Sequence, residues 1–268
     1  MGKRILAALA LALVGLPAVF LGGLYFFLLI AILLAIAAWE YGHMFQKTGN
    51  HASLPILVGG VLVIVAARLY FPDMVPAVLT LCVLAAMTWH LVDYERGCDT
   101  AGADFAITTA GFLYLGWIGA YLLELRALED GTWWFFLVLI AIWLADSFAF
   151  FIGVRFGRHR LSPRLSPKKT WEGYLGGIFF GTLGSVGMAF LFNALGGPVV
   201  SWWLAAILGV VLSILTTLGD LGESMLKRYV GVKDSSNLMP GHGGIFDRID
   251  SWLWGAALGF YLVTWMIL

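Results

Sequence analysis

The residues best suited to chemistry form a charged cluster in a chain that is otherwise almost entirely apolar. Hydrophobic residues make up 61% of the 268 positions and charged residues only 12%. Because ionisable groups are costly inside a membrane, a concentration of charge in such a chain predicts an ionic functional site at the membrane edge. The cluster contains Asp220, Glu223, Lys227, Arg228, Lys233, Asp234, Asp247, Arg248 and Asp250.

Five polar residues at the start of this cluster fall on one face of a predicted helix, because their intervals of three, one, three and one match the helical repeat. They are Asp220, Glu223, Ser224, Lys227 and Arg228. The apolar run before these residues ends at about position 221, so the acidic residues are predicted to lie at membrane depth. Carboxylates there require a partner. In the alternative interpretation, the two acids only pair with the two basic residues and close the helix end, which leaves the rest of the cluster unexplained.

A second acidic pair, Asp247 and Asp250, has helical spacing and opens the last apolar span. Carboxylate ligands without cysteine pairs favour a hard cation, usually Mg²⁺ when phosphates supply the remaining ligands. Backbone N–H groups of glycines and a helix N-terminus both bind anions well. The glycine-rich turn before this pair reads Pro240, Gly241, His242, Gly243, Gly244. His242 either hydrogen-bonds the backbone or acts as a general base.

These patterns predict a metal centre surrounded by basic groups that neutralise phosphates. Asp220 and Asp247 are the predicted metal ligands, with Glu223 and Asp250 in support. The phosphate-neutralising side chains are Lys227, Arg228, Lys233 and Arg248. The predicted catalytic residues are Asp220, Asp247, Lys227, Arg228 and Asp146.

A second basic segment extends from Arg155 to Lys169 and leads into a predicted helix cap at Thr170, after extended backbone at Pro167. Lys168 and Lys169 are predicted to contact a triphosphate. A positive-inside signal alone would explain Arg158, Arg160 and Arg164. The complete predicted substrate-binding set is Ser166, Lys168, Lys169, Thr170, Ser224, Lys233, His242, Gly243, Gly244 and Arg248.

Three further charged residues lie inside predicted spans. Asp146 requires a counter-charge or a wet cavity, and both a structural ion pair and a direct role near the metal stay open. Glu40 and Arg68 are interpreted as interfacial or packing residues.

The elements that position these residues are predicted to be membrane-spanning helices. The mean hydropathy is +0.91, and apolar runs of this length match the thickness of a bilayer. The fold is therefore predicted to be all-α and polytopic, with about nine spans. The net charge of zero gives no general attraction to nucleic acid. The apolar windows cover residues 4–22, 24–42, 54–71, 75–93, 105–123, 132–154, 173–195, 199–221 and 250–268.

Basic residues in short loops predict the orientation and the division of the chain. The segment 155–169 is expected on the cytoplasmic side, and counting spans places Lys3, Arg4 and the segment 227–248 there as well. The first apolar run is expected to be retained as a span, because no small-residue cleavage site follows it. Residues 1–130 are predicted to be scaffold and residues 131–268 the catalytic region of one continuous membrane domain.

The motifs around the acidic pairs resemble those of the phosphatidate cytidylyltransferase family, also called CDP-diacylglycerol synthase. The segment 166–173 resembles a second motif of that family, and Asp146 with Gly153 and Gly157 resembles the helix before it. The resemblance implies that CTP and phosphatidate give CDP-diacylglycerol and pyrophosphate, with Mg²⁺, in the bacterial inner membrane. The matching pattern is Ser224, Lys227, Arg228, Lys233, Asp234, Pro240, Gly241, His242, Gly243, Gly244, Asp247, Arg248 and Asp250.

Two other functions stay open at this point. A cytidylyltransferase for an isoprenoid or ether lipid phosphate would need the same polar site. A secondary transporter also places ionisable groups in spans, but it has no need for a glycine turn beside clustered basic residues. The oligomeric state is open, with a homodimer as one alternative.

Overall fold

The structure is a computed structural model that describes residues 13–238 and 243–268, and most of these residues are helical. Residues 13–21 form a helical segment before the first numbered helix. The helices are α1 Gly23–Gln46, α2 Leu54–Tyr70, α3 Val75–Glu95, α4 Ala101–Gly111, α5 Tyr121–Ala127, α6 Gly131–Phe156, α7 Trp171–Ala194, α8 Trp202–Tyr229 and α9 Phe246–Met266. A 3₁₀ turn, Pro72–Met74, precedes α3, and a π-helical stretch, Phe112–Ile118, follows α4. The all-α class is confirmed.

Six helical stretches are long and apolar enough to cross a membrane, counted over the part of the chain that the structure describes. They are Gly23–Gln46, Pro72–Glu95, Ala101–Ala127, Gly131–Phe156, Trp171–Ala194 and Trp202–Tyr229. Helix α2 has only 17 residues, about 25 Å at 1.5 Å per residue, which is shorter than a typical apolar core. The chain is a multi-pass membrane protein, but the structure does not support nine spans. Residues 4–12 of the predicted window 4–22 lie outside the described residues.

The chain folds into two compact units that are not consecutive in sequence. The first unit contains residues up to Glu124 together with Lys227–Ile249. The second contains Leu125–Leu226 together with Asp250–Leu268. The segment after α8 therefore packs with the N-terminal helices. The functional division of the chain at residue 130 stays a prediction.

Small residues bring α6 and α7 of the second unit into close contact. A Cβ atom added to Gly177 would lie 2.7 Å from the carbonyl oxygen of Ala145, and one on Gly181 would lie 2.9 Å from that of Ala141. A side chain on Gly173 would collide with the carbonyl of Ala149. Such small residues at every fourth position let membrane helices approach closely. These glycines therefore serve helix packing.

A short antiparallel hairpin connects α6 to α7, and the sequence analysis missed it. Strand β1, Arg160–Ser162, pairs with β2, Ser166–Thr170, with Arg160 opposite Thr170 and Ser162 opposite Ser166. The predicted cap at its end is confirmed, because the Gly173 N–H donates to Thr170 Oγ1 at 3.2 Å. The hairpin holds Lys168 and Lys169 just before the first turn of a membrane-spanning helix.

Candidate active site

In the second unit, three charged residues from three different elements meet. Lys169, at the end of β2, pairs with Asp220 of α8 at 2.6 Å between Nζ and Oδ2. Asp146 of α6 interacts electrostatically with both of them. A carboxylate within an apolar span requires a counter-charge or water, and Lys169 supplies a counter-charge.

Close contact between the hairpin and α6 places Lys169 in this group. A Cβ on Gly157 would lie 2.6 Å from Thr170 Cγ2, and one on Gly153 would lie 3.0 Å from Thr170 Oγ1. The residue after Lys169 can therefore approach α6 only because both positions lack side chains. This contact gives a physical role to the two glycines that follow Asp146 in sequence.

The two carboxylate oxygens of Asp220 have different partners, a hydroxyl at a longer distance and an ammonium at a shorter one. Ser224, one turn further along α8, has its Oγ 3.3 Å from Asp220 Oδ1. The other carboxylate oxygen accepts from Lys169. The basic partner of Asp220 thus comes from the hairpin and not from its own helix, so the alternative interpretation of a simple helix-end pair is wrong for this residue. Of the predicted supporting acids, Glu223 is 1% and Asp250 is 8% exposed.

In the first unit, Asp247 connects four donors around the start of α9. Its Oδ1 accepts from Lys227 Nζ at 2.6 Å. Its Oδ2 accepts from the Ser235 N–H at 2.9 Å, the Ser235 hydroxyl at 2.8 Å and the Gly244 N–H at 2.7 Å. The Lys227 and Asp247 side chains are only 10% and 6% exposed. Asp247 therefore connects Ser235 with Gly244 in addition to pairing with Lys227.

The two described glycines of the turn are required by geometry. Gly243 has φ of 81°, in the left-handed region, and a Cβ there would lie 2.6 Å from Asp247 Oδ2. A Cβ on Gly244 would collide with the Ser235 hydroxyl. Both glycines thus allow the backbone to approach a carboxylate, whereas the predicted contact of their N–H groups with a ligand stays a prediction.

Glu40 of α1 belongs to the same polar group, so its interpretation as an interfacial or packing residue was wrong. It is completely buried. Its carboxylate accepts from the N–H groups of Ile245 and Phe246 at 3.0 and 2.7 Å. It also accepts from the Ser236 hydroxyl at 2.5 Å, with the Ser235 hydroxyl 3.3 Å away. The signal for this role was a carboxylate inside an apolar helix, which must find donors.

The other predicted residues are distributed around these two groups. Arg228 donates to the Val232 carbonyl at 3.0 Å, and Ser166 lies within the hairpin. His242 lies outside the described residues. The structure brings Lys169, Asp220 and Asp146 together in one unit, and Lys227 and Asp247 in the other. Among the predicted site residues, the exposed basic ones are Lys168, Arg228, Lys233 and Arg248.

The donor chemistry of the second-unit group suits a hard cation. Over residues 13–238 and 243–268, no three His, Cys, Asp or Glu side chains come close enough to hold a metal ion between them. Mg²⁺ commonly takes only one or two carboxylates and completes its shell with water and substrate phosphates. Asp146 and Asp220 fit that pattern. The joint ligation of one ion by Asp220 and Asp247, with Glu223 and Asp250, stays a prediction.

Comparison with known proteins identifies the family. A family model described as the cytidylyltransferase family matches residues 2–266. The chain belongs to this family. Among curated relatives of this cytidylyltransferase, a phosphatidate cytidylyltransferase of Pseudomonas aeruginosa is 35% identical over 260 residues, covering 93% of this chain and 92% of the relative. The protein of that name from Bacillus subtilis is 33% identical and covers 98% of each chain. The one from Staphylococcus saprophyticus is 33% identical and covers 94% and 95%.

Proposed function

We propose that this cytidylyltransferase transfers a cytidylyl group from CTP to phosphatidate, giving CDP-diacylglycerol and pyrophosphate. The observation that carries the proposal is the partly exposed ion pair of Lys169 and Asp220, which interacts electrostatically with Asp146. Its cation suits nucleotide phosphates, and its carboxylates suit the divalent ion that accompanies them. The names of relatives that align along nearly the whole chain support the choice of CTP and phosphatidate.

The proposed reaction is a substitution at the α-phosphorus of CTP. An oxygen of the lipid phosphate forms the new P–O bond, the bond between the α-phosphorus and the bridging oxygen breaks, and pyrophosphate leaves with the electron pair. A phosphate monoester has a second pKa of about 6, so the nucleophile is already ionised at neutral pH. The enzyme must mainly align two anions and neutralise their repulsion.

The second-unit group is proposed to do this work. Lys169 exchanges Asp220 for a phosphate oxygen when the nucleotide binds, and Lys168 contacts the same triphosphate. This exchange costs little, because the Lys169 and Asp220 side chains are 26% and 33% exposed and solvent already screens their attraction. Ser224 keeps the Asp220 carboxylate oriented after Lys169 has turned away.

Mg²⁺ is the proposed cofactor, with Asp220 and Asp146 as residues that would hold it. When bound, such an ion neutralises phosphate charge and stabilises the leaving pyrophosphate. The basic residues Lys227, Arg228, Lys233 and Arg248 are proposed, from their place in the sequence motifs, to neutralise phosphate charge.

The proposed location is the bacterial inner membrane, with both polar groups facing the cytoplasm. The exposed arginines and lysines of the hairpin support this orientation through the positive-inside tendency. The acyl chains are proposed to stay within the bilayer during the reaction, because moving them into water costs about 0.8 kcal/mol for each CH₂ group.

The test is an assay of the purified protein with CTP, Mg²⁺ and phosphatidate, in which released pyrophosphate and the CDP-lipid are both measured. We expect equal amounts of the two products, and none without the lipid. Competition by an isoprenoid phosphate or an ether-lipid phosphate tests the lipid. Preferential use of one of these would transfer the assignment to that lipid, and substrate flux across vesicles without pyrophosphate release would indicate a transporter.

A further inference from the structure

The buried carboxylate of Glu40 contacts both ends of the segment that contains the glycine turn. Ser235 and Ser236 lie before the turn, and Ile245 and Phe246 lie after it. Glu40 itself is some two hundred positions away in sequence, on a helix from the opposite end of the chain. One side chain thus closes the base of this segment and attaches it to α1.

The contacts of the Glu40 carboxylate are with groups that can donate a hydrogen bond. Two carboxylate oxygens offer roughly four acceptor sites, and the four contacts are two backbone N–H groups and two hydroxyls. The N–H groups belong to the beginning of α9, where the helix dipole also favours a negative charge. These donors replace the water that a buried anion would otherwise require.

Glu40 and Asp247 share one intermediary, the Ser235 hydroxyl. Its Oγ lies 3.3 Å from Glu40 Oε2 and 2.8 Å from Asp247 Oδ2. Asp247 in turn pairs with Lys227. A displacement of the segment relative to α1 would therefore move the carboxylate that holds Lys227.

We propose that Glu40 is a positioning residue for nucleotidyl transfer, because it holds the residue pairs Ser235–Ser236 and Ile245–Phe246 so that Asp247 and Lys227 keep the geometry that the reaction needs. The inference rests on the proposed function. It extends that function to a helix that the sequence motifs do not include. Among the residues that the structure describes, the Glu40 side chain has its hydrogen-bond contacts with these two residue pairs, so its loss affects them before it affects helix packing.

The test compares Glu40→Gln with a matched control, Asp104→Asn. Asp104 is also a fully buried carboxylate of the first unit, but it accepts from the His51 N–H and the Thr100 hydroxyl, both at 2.7 Å. In Glu40→Gln, an NH₂ group replaces one of the two carboxylate oxygens. It is itself a donor and cannot accept from the N–H and hydroxyl groups around it, so about half of the contacts are lost. We expect kcat per folded molecule to fall about 10- to 100-fold, as for a displacement on the order of 1 Å, with a smaller change in KM for CTP.

Glu40→Asp, which keeps the charge on a shorter side chain, should recover part of kcat. Asp104→Asn should lower thermal stability but keep kcat per folded molecule within about threefold of that of the original protein. Asp104 is not one of the residues that are proposed to stabilise the transition state. An unchanged kcat in Glu40→Gln, or an equal loss of kcat in both variants, would overturn the proposal.

A second measurement separates this inference from the proposed function. Hydrogen exchange of the peptide that contains Ile245 and Phe246 reports the attachment without any turnover. We expect faster exchange there in Glu40→Gln but not in Asp104→Asn. Unchanged exchange would refute the attachment even in an active enzyme. If the original protein releases no pyrophosphate, the proposed function fails, and with it the catalytic role of Glu40, whatever the exchange data show.

Discussion

Replacement of Lys169 by Met gives the sharpest test of the second-unit group. The substitution keeps the unbranched apolar part of the side chain and removes the ammonium that lies 2.6 Å from Asp220. With these side chains 26% and 33% exposed, the pair contributes only about 0–1 kcal/mol to stability after solvent screening. The folded protein should therefore tolerate the change.

The effect on turnover should be much larger than the effect on stability. A charged group aimed at developing phosphate charge is worth about 3–4 kcal/mol in the transition state, which is roughly a 10²- to 10³-fold decrease in rate when it is removed. Arg164→Met is the matched control, because Arg164 is an exposed residue between the two strands of the same hairpin and carries the same charge.

The assay measures kcat/KM for CTP at saturating lipid, with thermal unfolding in detergent as the stability measurement. The expected result is a selective loss in Lys169→Met with nearly unchanged unfolding. A kcat/KM within about threefold of the original, or an equal decrease in Arg164→Met, would refute a direct role for Lys169 and leave only a general effect of charge.

Three further results are expected. Asp146→Asn should lower turnover and shift the Mg²⁺ dependence to higher concentrations. The reason is that the substitution removes one of the two carboxylates that interact with Lys169. An unchanged Mg²⁺ dependence would exclude Asp146 as a ligand. Removal of divalent ions with a chelator should abolish pyrophosphate release and added Mg²⁺ should restore it, whereas full activity in chelator would contradict the metal proposal. Gly177→Ala should destabilise the protein by about 1–3 kcal/mol, since its Cβ would lie 2.7 Å from the Ala145 carbonyl; Gly187→Ala, with open space around it, is the control in the same helix.

The sequence predicted the helices well because apolar periodicity and length depend on local composition. Each apolar window is mostly helical where the structure describes it. The number of spans was overestimated, because hydropathy windows do not distinguish a 17-residue helix such as Leu54–Tyr70 from one long enough to cross a bilayer. The hairpin was missed because its strands are short and contain Pro167, a residue that normally argues against a strand.

The site was predicted in composition but not in its pairing. Spacing along a helix correctly grouped Asp220 with Ser224. It could not show that the basic partner of Asp220 is Lys169, because that contact joins separate elements. Glu40 shows the same limit more strongly, since its donors are about two hundred positions away. A buried carboxylate demands donors, but the sequence does not state which backbone will supply them.

The two lysine–aspartate pairs have the same length, 2.6 Å, but burial gives them different physical roles. The Lys169–Asp220 pair is partly exposed, so a ligand can replace either partner at little cost. The Lys227–Asp247 pair is at most 10% exposed, and removal of one member of a buried pair costs about 3–5 kcal/mol. Asp247→Asn should thus lower the unfolding temperature clearly, as well as the turnover, while Asp220→Asn should lower turnover alone. Equal unfolding temperatures for the two variants in detergent would mean that burial does not separate these pairs, and that the Lys227–Asp247 pair is as exchangeable as the other.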